Sequence, residues 1–122
     1  MPYSDEVRMR YGSLSLVIVN KKSWKIPHDY RRFGLDEYAA PDELVQTIDD
    51  QMNQVLIYKD NQVMRNRWGL DDGRLKSQKE AGRRFILTGS RVGQIEFRAL
   101  RKLRYHTRRN KIKEYMPAEL FS

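Results

Sequence analysis

The sequence contains no cysteine. Disulfide frameworks, thiol catalysis and cysteine-based metal sites are therefore excluded. Its two histidines, His28 and His106, are too few for a histidine-rich metal site. Long apolar runs are also missing. The longest, Leu16-Val17-Ile18-Val19, is far short of the ~20 residues of a membrane helix. The N-terminal stretch MPYSDEVRMR lacks the apolar segment of a signal peptide, so the expected location is cytoplasmic. No phosphate-binding glycine loop or nucleophile motif occurs, and the expectation is a protein without enzymatic activity, cofactor or metal.

What remains is a polar chain of 122 residues and 14.6 kDa, 39% apolar and 33% charged, with mean hydropathy −0.81. That length suits one domain, or a small domain with an appendage, and suffices to bury a core. Its charge is unevenly placed. Residues 1–60 hold 8 basic and 10 acidic side chains, whereas residues 61–122 hold 16 and 6. Between Ser90 and Lys113 there are nine basic residues and one acid, Glu96. A concentration of this kind fits a polyanion partner such as nucleic acid, or else a solvated face.

The run 14–19 is short, β-branched and bounded by Gly12 and Asn20, which reads as a strand that could pair with Ser23–Ile26. Residues 27–40 read as a connector. Pro41, Asp42 and Glu43 suit a helix start, and Leu44, Val45, Ile48, Met52, Val55 and Leu56 follow at helical spacing. A second helix is expected from Asp60 as N-cap, through Val63, Met64 and Trp68, to Gly69. Residues 70–76 form a turn-rich loop, where Asp71 and Asp72 fit capping better than a metal pair. Ser77 and Glu80 make a capping box for a short helix carrying Ala81 and Phe85. A long helix, roughly Ser90 to Arg104, follows. Two such helices joined by a glycine-containing turn carry the pattern of a helix-turn-helix.

On a wheel of ~100° per residue, Val92, Ile95, Ala99, Leu100 and Leu103 share an arc of about 140°. Arg91, Gln94, Arg98, Arg101 and Lys102 fall on a separate arc of about 100°. A groove-binding helix needs that division between apolar support and outward donors.

Two blocks resemble region 4 of bacterial primary sigma factors. Arg65-Asn66-Arg67-Trp68-Gly69-Leu70-Asp71-Asp72-Gly73-Arg74 is similar to the family's R-x-R-F-G-L-D-D-G stretch. Gln94-Ile95-Glu96-Phe97-Arg98-Ala99-Leu100-Arg101-Lys102-Leu103-Arg104 is similar to its Q-I-E-x-[KR]-A-L-R-K-L-R segment. The resemblance covers residues 43–117 and leaves residues 1–40 unmatched. It implies a helix-turn-helix that reads the −35 promoter element and docks on the flap of the RNA polymerase β subunit.

The departures cluster at family positions that touch bases: Gly89, Ser90 and Gly93 stand where the family has Arg, Glu and Arg. Glycine offers nothing to a base edge. Asn66 and Gln78 replace apolar residues, and Phe97 replaces a small one. The resemblance places Arg67 and Arg91 near the DNA backbone and makes Arg98, Arg101 and Arg104 basic positions that activators touch.

The expectation is a mainly α protein. A helix-turn-helix domain spans 41–122, and a small β-containing extension spans 1–40. The candidate DNA-binding residues are Arg67, Ser90, Arg91, Gln94, Arg98, Arg101 and Lys102, with Gln94 the best base reader. Phe97, Arg104 and Trp68 are candidates for protein contact. The expected partners are promoter DNA, through its phosphates, and the polymerase β-flap or another transcription factor, with no membrane and no small-molecule substrate. The expected place is the cytoplasm, at the nucleoid. Two alternatives stay open: an interaction module that mimics sigma and alters the polymerase without reading DNA, and an autonomous dimeric repressor.

Overall fold

Ser4 opens the first helix. Its Oγ accepts a hydrogen bond from the Val7 amide (3.2 Å), and Asp5 and Glu6 occupy the positive first turn. This helix, α1, runs Asp5–Val19. The computed structural model describes residues 3–21, 24 and 38–121. Along these follow α2 (Asp42–Val55), α3 (Tyr58–Arg67), α4 (Gln78–Phe85), α5 (Gly89–Leu103), α6 (His106–Lys113) and a 3-10 turn at Ala118–Leu120. No strand occurs among the described residues.

The strand expected at residues 14–19 is therefore corrected to the C-terminal half of α1. The cause is burial on every side. Every residue from Tyr11 to Val19 is buried, so the run shows no polar face and no period. Ser13 and Ser15 survive there because their hydroxyls donate to the Met9 and Gly12 carbonyls (3.0 and 2.7 Å). The segment 23–26 expected to pair with this run lies outside the described residues, apart from Trp24.

One apolar cluster joins α1 (Tyr11, Leu14, Ile18), α2 (Leu44, Ile48, Met52), the end of α3 (Met64, Trp68) and the second half of α5 (Ala99, Leu100, Leu103) to Ile112 of α6. Truncating one of the Leu, Ile or Met side chains among these to Ala costs about 2–5 kcal/mol. The expected boundary at residue 40 thus falls within one core. There the Ala40 amide donates to the Arg8 carbonyl (2.9 Å), and Arg8 pairs with Asp42. Gly12 permits this approach, because a Cβ there would lie 1.6 Å from the Tyr38 carbonyl oxygen.

A smaller cluster holds the helix-turn-helix: Val63, Ala81, Val92 and Ile95, with Phe85 and Leu87 against it. Helix α5 is the spine of both clusters. Its first half closes the small one and its second half closes the large one.

Helix starts differ slightly from expectation. Pro41 takes the N-cap position of α2 rather than its first turn. Helix α3 starts from Ile57, so Asp60 is a buried residue of its first turn and not its cap. Helix α6 had no counterpart in the sequence reading. It is tied to α2 by Gln51, whose Nε2 donates to the Arg108 carbonyl (3.1 Å).

Candidate nucleic-acid interface

The capping box expected at Ser77 is present. Ser77 Oγ accepts from the Glu80 amide (3.0 Å), and Glu80 Oε1 accepts from the Ser77 amide (3.1 Å). The Ser77 amide holds the Glu80 carboxyl below the usual carboxylate range, with help from Arg74. Helix α4 ends in a sharp reversal. Ile86 adopts a left-handed conformation (φ 58°), and the Leu87 amide donates to the Gly82 carbonyl (2.8 Å). Gly82 is required for this turn, since a Cβ would stand 2.4 Å from the Leu87 oxygen. Thr88 then caps α5 by accepting from the Arg91 amide (3.1 Å).

Helix α5 divides as the wheel predicts. Val92, Ile95, Ala99, Leu100 and Leu103 are all buried. Ser90, Arg91, Gln94, Arg98, Arg101 and Lys102 are all exposed. Arg91 Nη1 donates to Gln94 Oε1 (3.1 Å), so the best base-reading candidate is steadied by its neighbour. Arg98 leans toward Asp60 of α3, 3.9 Å away, with about half of its side chain open. The only acid between residues 90 and 113, Glu96, is 1% exposed and leaves the outward face without negative charge.

Three candidates do not lie on that face. Arg67 is buried: its Nε lies 3.3 Å from Glu96 Oε2, and its guanidinium donates to the Lys76 carbonyl. It locks α3 to α5 and is withdrawn from the DNA-contact set. Trp68 is 2% exposed, and its Nε1 donates to Glu96 Oε2 (2.9 Å), so it is a core residue and not a docking surface. Arg104 is half-buried under the Trp24 ring (5.0 Å), with Nη2 3.4 Å from the Val17 carbonyl. Burial pushes its guanidinium down to about 10 while Glu96 pulls the other way, so it stays cationic at neutral pH. Phe97, by contrast, is 53% exposed.

One of the polar departures from the sigma pattern, Gln78, finds a partner here. Gln78 Nε2 donates to Glu96 Oε1 (3.0 Å), and its amide group covers Gly93 at 3.2 Å from where a Cβ would stand. Glu96 thus joins α3, α4 and α5 through Arg67, Trp68 and Gln78. Asp71 and Asp72 play the loop roles expected. Asp71 accepts from Arg65 (3.0 Å), while Asp72 accepts from the Arg74 amide (3.0 Å) and pairs with Lys76. Desolvation opposes ionisation of Asp72, but Lys76 and the Arg74 amide outweigh it and hold the carboxyl low.

A polar cleft of about 520 Å³ opens between α3, the 70–76 turn and α4. Arg65, Arg74 and Lys76 at its wall are each engaged by acids of that wall. No group of three or more potential metal ligands occurs among the described residues. No helix among them is long and apolar enough to cross a membrane. His28 lies outside the described residues, and His106 is exposed beside the Tyr105 ring (4.5 Å).

Sequence reasoning missed Tyr105 and Arg108. Tyr105 is 53% exposed and carries the Arg108 guanidinium 5.1 Å from its ring centre. The signal was the spacing of Phe97, Arg101 and Tyr105, four residues apart, running past the expected end of α5.

A short capped helix, a left-handed turn and a second helix with a cationic outer face define a helix-turn-helix domain of the DNA-binding, transcription class. Residues 53–105 match the family model described as Sigma-70, region 4. The chain is 38% identical over 86 residues to RNA polymerase sigma factor SigA of Clostridium acetobutylicum, covering 66% of this chain and 23% of that protein. It is 39% identical over 80 residues to the sigma factors SigA of Listeria monocytogenes and Listeria innocua, covering 66% of this chain and 21% of each. It thus spans about a fifth of the length of these curated relatives. No solved structure matches it.

Proposed function

We propose that this chain acts as a sigma region 4-like transcription regulator that binds promoter DNA and RNA polymerase, with weakened or altered −35 preference. The observation that carries this reading is the outer face of α5. Arg91, Arg98, Arg101 and Lys102 present only donors, Gln94 stands among them, and the acid of the segment is turned inward. Phosphate contacts position a protein on DNA, while base contacts give sequence preference. Gly89 and Gly93 leave the first turns of α5 poor in side chains for base edges, which favours backbone binding with Gln94 as the remaining reader. The polymerase contact is inferred from the sigma relatives, and the β-flap is the site to try first.

The test is a salt titration of duplex binding. Each phosphate contact removed by Arg91→Ala, Arg101→Ala or Lys102→Ala should flatten the log–log salt slope by about 1. Unchanged affinity and slope in all three would remove α5 as the DNA face. Co-elution with polymerase core and with the isolated β-flap domain tests the second half. Binding to polymerase without DNA binding would favour the sigma-mimic reading, which the loss of base-reading side chains supports.

A further inference from the structure

An arginine–aromatic stripe runs from the second half of α5 onto the start of α6. Phe97 and Tyr105 are each 53% exposed. Arg101 lies 5.9 Å from the Phe97 ring centre, and Arg108 lies 5.1 Å from that of Tyr105. The packing of the core does not use these rings. Phe97 and Tyr105 belong to neither apolar cluster, whereas the third aromatic of this region, Trp24, is turned to its own chain, with Nε1 donating to the Ile18 carbonyl (3.2 Å).

We propose that this stripe binds single-stranded nucleic acid, with bases stacked on Phe97 and Tyr105 and phosphates held by Arg101, Lys102 and Arg108. Two half-open rings interleaved with guanidinium groups form one surface that is both apolar and cationic, and a ligand for it must suit both. Single strands meet both demands. Every base has a π-face, and every nucleotide brings a phosphate. A duplex does not, because its bases are stacked on one another and closed to the rings. An acidic protein would satisfy the charge, but the alternation of ring and guanidinium at successive turns matches the alternation of base and phosphate along a strand. The arginines also approach their rings while leaving about half of each aromatic residue open, so the platform exists before a strand arrives.

The experiment compares two probes by fluorescence anisotropy on the full chain: an oligothymidine of about 12 nucleotides, within the usual span of such surfaces, and a mixed duplex of equal length. Wild type should bind the oligothymidine. Phe97→Ala and Tyr105→Ala should each weaken that binding by about 5- to 100-fold, the range for one lost base stack, with duplex affinity changed by less than about 2-fold. Phe97→Trp should keep or strengthen single-strand binding. Matching thermal melts would show that the variants fold, as expected for side chains outside both cores. No binding of the oligothymidine, no effect of either Ala variant, or equal losses on both probes would overturn the proposal. A protein that binds duplex alone loses this inference and keeps the function proposed above. Binding of oligothymidine alone has the reverse meaning.

Discussion

The guanidinium of Arg67 and the carboxylate of Glu96 form an ion pair 3.3 Å long in which the side chains are only 7% and 2% exposed. Trp68 and Gln78 donate to the same carboxylate, at 2.9 and 3.0 Å. Both blocks of the sigma-like pattern therefore meet in one buried polar node, and part of that pattern serves folding rather than DNA contact.

Glu96→Ala is expected to be among the most damaging single changes in the chain. It leaves Arg67 buried without its counter-charge and removes the acceptor of Trp68, at a cost of about 3–5 kcal/mol. Arg67→Met combined with Glu96→Leu should cost less than the sum of the single changes, because no charge is left unpaired. Urea unfolding followed by tryptophan fluorescence measures both. A loss under 1 kcal/mol for Glu96→Ala would mean that the node does not hold the helices together.

The turn between α4 and α5 holds a β-branched residue in the left-handed region, at Ile86, which is 94% exposed. That conformation costs about 1–2 kcal/mol for a residue with a Cβ, and exposure this complete means the side chain contributes little packing. Ile86→Gly should raise stability by about 1 kcal/mol. The expected sign is a higher urea midpoint with an unchanged m-value. A lower midpoint would show that the Ile86 side chain is used within the fold.

Two glycines should respond oppositely to alanine. At Gly82 a Cβ would meet the Leu87 carbonyl at 2.4 Å, and the rigid backbone there cannot yield. Overpacking of this kind costs about 1–3 kcal/mol. At Gly89 the nearest atoms are 3.5 Å away, an ordinary contact. Gly89→Ala should gain up to ~1 kcal/mol from helix propensity. Thermal melts of the two variants, displaced to opposite sides of wild type, check the pair.

Alkaline pH should loosen the α1–α2–α3 junction. Tyr11 is fully buried and donates to Asp49, and Arg65 contacts both. Burial, then the Asp49 carboxylate, raises the phenol well above its ordinary value of 10.0. The folded protein keeps this proton where the unfolded chain releases it. The stabilisation is complete below pH 10.0 and is lost as pH rises beyond it, with a limiting slope of about 1.4 kcal/mol per pH unit. Tyr11→Phe should remove this share of the alkaline slope. An identical slope in the variant would assign the loss to other groups.

How far the sequence could be read depended on where each signal lay. The capping box at Ser77 and the two faces of α5 were legible because both are local patterns, and the burial of Val92 through Leu103 follows the wheel residue for residue. Helix α1 was misread because its apolar run is enclosed on all sides, and a periodless run of β-branched residues looks the same in a strand and in a buried helix. Arg67 was misplaced because its partner sits on another helix, and a buried cation differs from a surface one only in what lies opposite. Helix α6 escaped notice because Ile112 is its one buried residue, too little for an apolar stripe.

The family-model match to sigma region 4 begins inside α2 and ends at Tyr105, just before α6. Helices α1 and α6 and most of α2 lie beyond its edges, yet Leu14, Ile18, Leu44, Ile48 and Ile112 share a cluster with Leu100 and Leu103 of α5. A fragment cut to the recognisable stretch would carry the basic helix away from half of its scaffolding. Keeping α5 supported on both of its buried sides therefore takes the whole described bundle, about twice the length of the stretch that the family model matches.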